Sequence, residues 1–282
     1  LEANLRSRHI STNLKKSTNQ QLDKAASSII VENDRVRVVS LNVNVCDSGS
    51  ITESVAELVT AKDGGYICFS TVHMVMESYD DPTYAEKVNS ANMIIPDGMP
   101  LVWMQKLQGR KDASRIRAND MMIDLCSVAE SRGWSVGFYG ASHKVIDQIK
   151  ERAAKDFPQL RVEYTFSPPF RALTAEEESE IRTDLLLASP DLLFVGLGCP
   201  KQENWMSKNS PDLKCIMFGV GASFDFFAGN VKESPPWIGK LGLEWLFRLR
   251  QEPRRLWYRY LVLNPRFIMQ ALIQLFGQNR ER

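Results

Sequence analysis

An apolar run, Met93-Ile94-Ile95-Pro96, ends in a lone carboxylate, Asp97, followed by Gly98. A carboxyl group partly desolvated at the end of such a run holds its proton more tightly than in water and suits general-base work. The same residue would equally serve as a turn aspartate capping a helix that begins at Met99. Three other segments put polar or glycine residues directly after apolar runs: Ser70-Thr71-Val72-His73, Gly196 to Glu203 (GLGCPKQE) and Gly219 to Asp225 (GVGASFD). Glycines at 196, 198, 219 and 221 would let backbone N–H groups approach phosphate oxygens. Gly140, which closes the run WSVGFYG, is counted with these binding candidates, as are His73 and Asp225. Gln202 and Glu203 are either binding residues or simply the first residues of a helix.

Some chemistries fit poorly. A nicotinamide-type fingerprint needs GxGxxG at an early strand with an acid about 20 residues on, and neither GLGCPK nor GVGASF completes it. The sequence holds no Asp-x-Asp triplet, and its three histidines are far apart, so no metal site is expected. An enzyme that expels a nucleotide diphosphate must neutralise charge building on the leaving phosphates, with a metal or with fixed cations and backbone donors. Without a carboxylate cluster, arginines are the available substitute.

The elements that must position these residues alternate. VRVVSLNV (36–43), YICFST (66–71), ANMIIPDG (91–98), WSVGFYG (134–140), RVEYTF (161–166), DLLFVGLG (191–198) and KCIMFGVG (214–221) read as strands. Helical patterns lie between them, over 52–62, 72–91, 99–107, 119–132, 143–157, 174–189 and 202–209, with Thr174 and Glu177 forming a capping box. Strands apolar on both faces and separated by helices predict a doubly wound, mostly parallel, Rossmann-like α/β sheet. Ligands bind beyond the carboxyl ends of such strands, where the four segments fall.

Residues 1–32 are polar and rich in Ser, Thr and Asn; a flexible segment is expected there, with a short helix near Leu22 to Ile30. Residues 33–230 form the expected α/β domain, and 231–282 change character. That last stretch carries ten Lys/Arg against four Asp/Glu, a net of +6, on a chain whose total is +1. It reads as interrupted helices, with Ile238, Leu241, Trp245 and Leu249 on one stripe. Arg248, Arg255 and Arg259 can share another face if Pro253 merely opens the next helical turn. Trp237, Trp245 and Trp257 interleave with arginines, which suits either a membrane interface or an ordinary packed helix pair. No run of about 18 apolar residues is present to span a bilayer, and none near the start resembles a signal peptide. The five scattered cysteines are expected to be reduced thiols in a cytoplasmic protein.

Three blocks in this order carry a resemblance: IIPDGMPLVW at 94–103, FVGLGCPKQENWM at 194–206, and GVGASFDFFAGNVKESPPWIGKLGLEWLFRLRQEPRRLWYRYLVLNPRFI at 219–268. They resemble the WecG/TagA/CpsF glycosyltransferases (glycosyltransferase family 26), and the likeness runs from about Val36 to Ile268. It implies an inverting, metal-independent enzyme without cofactor, moving a sugar from a UDP-sugar to a polyprenyl-diphosphate-linked saccharide. The implied location is the inner face of a bacterial plasma membrane, and the polymer a cell-surface polysaccharide. The acidic base falls on Asp97, the strand-end threonine on Thr71, the PKQE glutamine on Gln202, and an arginine before the central helix on Arg115. Arg248 and Arg255 match arginines of an appendage that closes over the site and docks on an anionic membrane; a third falls near Tyr258, with Arg259 beside it. Two departures stand out: His73 replaces a common asparagine, and IRAND replaces a glycine-containing stretch. Glucose, N-acetylmannosamine and its uronic acid all remain open as donors.

Two rivals follow from the residues: a nucleotide-binding oxidoreductase, and an idle membrane-surface scaffold. Nucleic acid is not an expected partner, and the residues leave the oligomeric state open, self-association being one way for an apolar tail off the membrane to mask itself.

Overall fold

The computed structural model describes residues 34–235, 238–239 and 242–278. The expectations for residues 1–32, Trp237 and Leu241 lie outside these residues. The sheet is built from β3 (Gly65–Ser70), β4 (Met93–Pro96), β5 (Ser135–Gly140), β6 (Arg161–Phe166), β7 (Leu192–Gly196) and β8 (Ile216–Gly219). All pair in parallel in the order β4-β3-β8-β7-β5-β6. Alternate side chains along each strand feed two apolar layers. Tyr66, Cys68, Tyr139, Leu193 and Met217 belong to one; Ile67, Phe69, Phe138, Phe194 and Phe218 belong to the other. Burial on both faces explains why these strands are nearly continuous apolar runs.

Helices Val72–Asp80, Pro82–Asn89, Ala175–Ala188 and Lys201–Asn209 contribute to the first layer, and Ser48–Ala61, Ala118–Arg132 and His143–Asp156 to the second. The expected capping box is present: Glu177 N donates to Thr174 Oγ1 (3.2 Å) and Thr174 N to Glu177 Oε2 (2.9 Å). The doubly wound α/β expectation is borne out.

The run at 36–43 corrects one expectation. It is a hairpin, β1 (Arg35–Val38) and β2 (Leu41–Asn44), paired antiparallel outside the main sheet. The turn is enforced from elsewhere in the chain. Val39 adopts a left-handed φ of 57° while its N–H donates to Gln274 Oε1 (2.8 Å), and Ser40 Oγ donates to Val75 O (2.7 Å). The hairpin then protects the sheet edge, because Asn44 Oδ1 accepts from Ile94 N of β4 at 2.8 Å.

Beyond β8 come a short helix, Ser223–Phe227, and then helices Glu244–Gln251 and Pro253–Tyr258, a wide π turn Arg259–Leu263, and helix Asn264–Gln278. Pro253 does open a helix, as its spacing predicts. Leu263, Phe267 and Ala271 are buried in the same apolar layer as the hairpin's Val38, Leu41 and Val43. The last helix is therefore built into the fold.

Gly140 supports the site from beneath. Its φ is 127°, and a Cβ there would lie 2.6 Å from the carbonyl carbon and oxygen of Gly196, next door on β7. The residue lets two strand ends close up and does not line the cavity described below, so the structure gives it a packing role. Gly140→Ala should cost about 2 kcal/mol or more of stability, from the forbidden backbone conformation and the clash. Chemical denaturation would read this as a lower midpoint.

Candidate functional site

One cavity, of about 670 Å³, opens over the carboxyl ends of β3, β4, β7 and β8. Thr71, His73, Asp97, Arg115, Gly198, Gln202, Gly219, Gly221, Asp225, Arg248, Arg255 and Arg259 all line it. Of the other sequence-derived candidates, Gly196 lines it as well, and Gly140 and Glu203 do not. Arg248, Arg255 and Arg259 reach it from the C-terminal segment, which lies over the strand ends.

Asp97 hangs from the loop after β4, where its N–H (2.9 Å) and that of Gly98 (3.2 Å) both donate to Ser70 O. Arg115 grips this loop, donating through Nε to the Asp97 carbonyl and through Nη2 to the carboxylate at a long 3.4 Å. Burial pushes the Asp97 carboxyl above the usual aspartate range; Arg115 pulls it down and Glu244 pushes it up. A carboxylate with a raised proton affinity facing open space can act as a base. The helix at Met99 has Gly98 at its N-cap and no side-chain capping bond, so Asp97 is not committed to capping.

The glycine-rich ends of β7 and β8 meet at Gln202. Its Oε1 accepts from Gly198 N (3.1 Å), and its Nε2 donates to Glu203 Oε1 (2.7 Å). A Cβ on Gly219 would fall 3.0 Å from Gln202 Nε2 and 2.8 Å from Met206 Cε, so only glycine lets this strand end come so close. Glu203 is fully buried and also accepts from the Tyr84 hydroxyl (3.0 Å). Burial raises its proton affinity, against hydrogen bonds that lower it. Both residues begin the helix Lys201–Asn209, but only Gln202 faces the cavity.

Arginines of the C-terminal segment line the same cavity. Arg259, the first residue of the π turn, donates from Nη2 to Thr71 Oγ1 at 2.7 Å. Arg248 sits 5.2 Å over the Phe226 ring, and its buried Nε has no hydrogen-bond partner. Glu252 steadies both Arg248 (3.6 Å) and Arg255 (2.7 Å) from behind. Of the two positions considered for a third arginine, Tyr258 lines the cavity too, but Arg259 supplies the charge. Among the described residues, no group of three or more His, Cys, Asp or Glu could hold a metal ion. The five cysteines are unpaired.

His73 points its Nε2 at Glu77 Oε1 (3.2 Å), while its buried Nδ1 lacks a partner. Burial, and secondarily Arg259, pull its pKa down to about 4, so it is neutral near pH 7. Sequence reasoning missed Glu244, which reaches from the appendage to Arg115 Nη1 (2.8 Å) and Arg117 Nη2 (3.6 Å). An acid in the first turn of a helix is a common dipole partner, so nothing local singles Glu244 out.

The family model described as glycosyl transferase WecG/TagA/CpsF matches residues 36–281. The chain belongs to this family. Similar curated proteins are each named N-acetylglucosaminyldiphosphoundecaprenol N-acetyl-beta-D-mannosaminyltransferase. That of Bacillus spizizenii (strain W23) is 32% identical over 210 residues, covering 74% of this chain and 79% of the relative. That of Bacillus subtilis (strain 168) is 31% identical over 216 residues, covering 76% and 81%. That of Staphylococcus aureus (strain MW2) is 28% identical over 174 residues, covering 61% and 66%. As a WecG/TagA/CpsF member the protein is a glycosyltransferase, which sets aside the oxidoreductase and idle-scaffold readings.

The depressed His73 value carries a testable sign. Between the ordinary histidine value of 6.5 and about 4, the unfolded chain binds the proton and the folded one does not, so stability should fall as pH falls through that window. In Arg259→Ala, NMR titration should show the His73 pKa rising but staying below 6.5, because burial remains the larger cause.

Proposed function

We propose that this glycosyltransferase moves N-acetylmannosamine from a UDP-linked donor to polyprenyl-diphosphate-linked N-acetylglucosamine, inverting the anomeric centre to give a β-linkage. The observation that carries this reading is that Asp97 and the arginines 248, 255 and 259 line one cavity. An acceptor and an anionic leaving group need such an arrangement if one is to be deprotonated while the other departs. The relatives' names supply the sugar, its β-configuration and the acceptor.

On this reading the diphosphate lies against the strand-end glycines with the appendage cations around it. Asp97 accepts the proton of the acceptor hydroxyl as that oxygen attacks the anomeric carbon. The bond to the UDP oxygen breaks on the opposite face, and the negative charge growing on the diphosphate is met by Arg248 and Arg255. No metal is needed, because fixed guanidinium groups provide the charge stabilisation. Thr71, held by Arg259, marks where the appendage meets the sugar end of the site.

The appendage also supports a membrane-bound acceptor. None of the described helices is long and apolar enough to cross a membrane. Yet Ile268, Met269, Leu272, Ile273 and Phe276 are exposed along one face of the last helix, while Phe267 and Ala271 are buried on the other. A helix apolar on both sides suits peripheral docking on an anionic bilayer, with arginines nearby, and the inner leaflet is where nucleotide sugars are available.

Asp97→Asn should lower kcat by about 100-fold or more while UDP still raises the unfolding temperature. UDP release from UDP-N-acetylmannosamine upon adding the lipid-linked acceptor would measure it, and near-normal turnover would remove Asp97 from the mechanism. Replacing Ile273 and Phe276 together by Asp should weaken binding to anionic vesicles on the order of 100-fold, since each buries roughly 1.5–3 kcal/mol of apolar surface in lipid. Co-sedimentation reads this, and the thermal midpoint should stay put because both side chains are exposed.

A further inference from the structure

Arg115 stands between two carboxylates that belong to different parts of the molecule. Its Nη1 donates to Glu244 Oε2 at 2.8 Å, whereas its Nη2 approaches Asp97 Oδ1 only to 3.4 Å. The side chains of Arg115 and Glu244 are 19% and 15% exposed, so this ion pair is shielded from screening by water. Glu244 opens the helix Glu244–Gln251 of the appendage, while Asp97 and Arg115 belong to the body. Arg117 completes the set: it contacts Glu244 at 3.6 Å, and on its outer side it meets Glu233 (3.1 Å) and Asp120 (3.3 Å). Ser70 at the end of β3 and Thr71 after it carry no charge, and Thr71 accepts from the Arg259 guanidinium at 2.7 Å.

We propose that Glu244 is a positioning residue through which seating of the appendage sets the charge balance around Asp97. With the appendage seated, the short bond to Glu244 takes up the guanidinium head of Arg115 and leaves Asp97 with a long contact. Arg117 meanwhile is shared among Glu244, Glu233 and Asp120. With Glu244 gone, Arg115 has Asp97 as its near carboxylate, and one anion has left its neighbourhood. A tightly paired Asp97 gives up its proton more easily and is a weaker base, because an opposite charge at contact favours the ionised form. The base would thus reach full strength only when the arginines that receive the leaving group are also in place. An exposed base without its cations would be unproductive, and this linkage avoids it.

The proposal rests on the reading of Asp97 as the base, and the experiment separates the two. The dependence of kcat on pH is measured for the intact chain with UDP-N-acetylmannosamine and a short-chain polyprenyl-diphosphate N-acetylglucosamine. In Glu244→Gln the acid limb should move to lower pH, and the plateau should fall on the order of tenfold as the base weakens. Glu244→Asp, which keeps the charge, should bring the limb back towards its original position. Thermal unfolding of each variant confirms that the body is folded. A limb unmoved in Glu244→Gln, with the change confined to KM, would overturn the role of Glu244 and make it a mere tether. A limb that persists in Asp97→Asn would overturn the base reading, and this proposal with it.

Discussion

Taking a charge out of water is costly unless a partner comes with it, and the site is organised around that constraint. Asp97, Arg115, Arg117 and Glu244 lie together at the mouth of the cavity, each with an opposite charge in reach. Three of them belong to the body, and the fourth arrives from residues more than a hundred positions later. Glu244 brings Arg115 a carboxylate at 2.8 Å, and Arg115 and Arg117 bring Glu244 cations beyond Arg248 of its own helix. The cluster therefore does what a hydrophobic seam could not: it defines one seating of the appendage and ties that seating to the chemistry.

The sheet supplies the other half of the arrangement. Parallel strands send all their carboxyl ends to one edge, and here the neighbours β7 and β8 approach closely enough that Gly196 meets Phe224 and Gly219 meets Gln202. That closeness is held by internal bonds, Gly198 N donating to Gln202 Oε1 and Gly221 N to Val195 O. It also forces the buried Glu203 to do structural work, since its carboxyl group holds both Gln202 and Tyr84. The distribution of labour follows from charge type. The Gln202 amide gives directional contacts without a net charge, while arginines of the appendage bring full cations to the cavity.

Much of this was legible in the residues. Apolar runs on both faces gave away the parallel sheet, and polar residues directly after those runs turned out to share one cavity because the topology sends strand ends to one edge. What was not legible depended on distant partners. The run at 36–43 is a perfect strand by pattern, and only Gln274 and Val75, far along the chain, hold Val39 and Ser40 in a turn. Gly140 looked like its fellow strand-end glycines, but its missing Cβ serves a neighbouring strand. Glu244 and the π turn at Arg259 carry no local signature, because an acid at a helix start and an arginine among apolar residues are both ordinary.

The two halves of the C-terminal segment solve different physical problems. Exposed ion pairs are too weak to hold a segment over a cavity by themselves. The anchor is therefore apolar: Leu263, Phe267 and Ala271 sink into the same layer as the β1–β2 hairpin, and Gln274 reaches across to Val39 and Arg37. With that end fixed, residues 244–259 need only partly buried ion pairs and Trp245–Tyr260 packing to settle on the strand ends. The outer face of the anchoring helix is left apolar and unpartnered among the described residues. On the proposed reading, that face meets the bilayer that carries the acceptor. The same helix then fixes the distance between lipid and cavity, so a lipid-linked acceptor would be held at a set reach from Asp97.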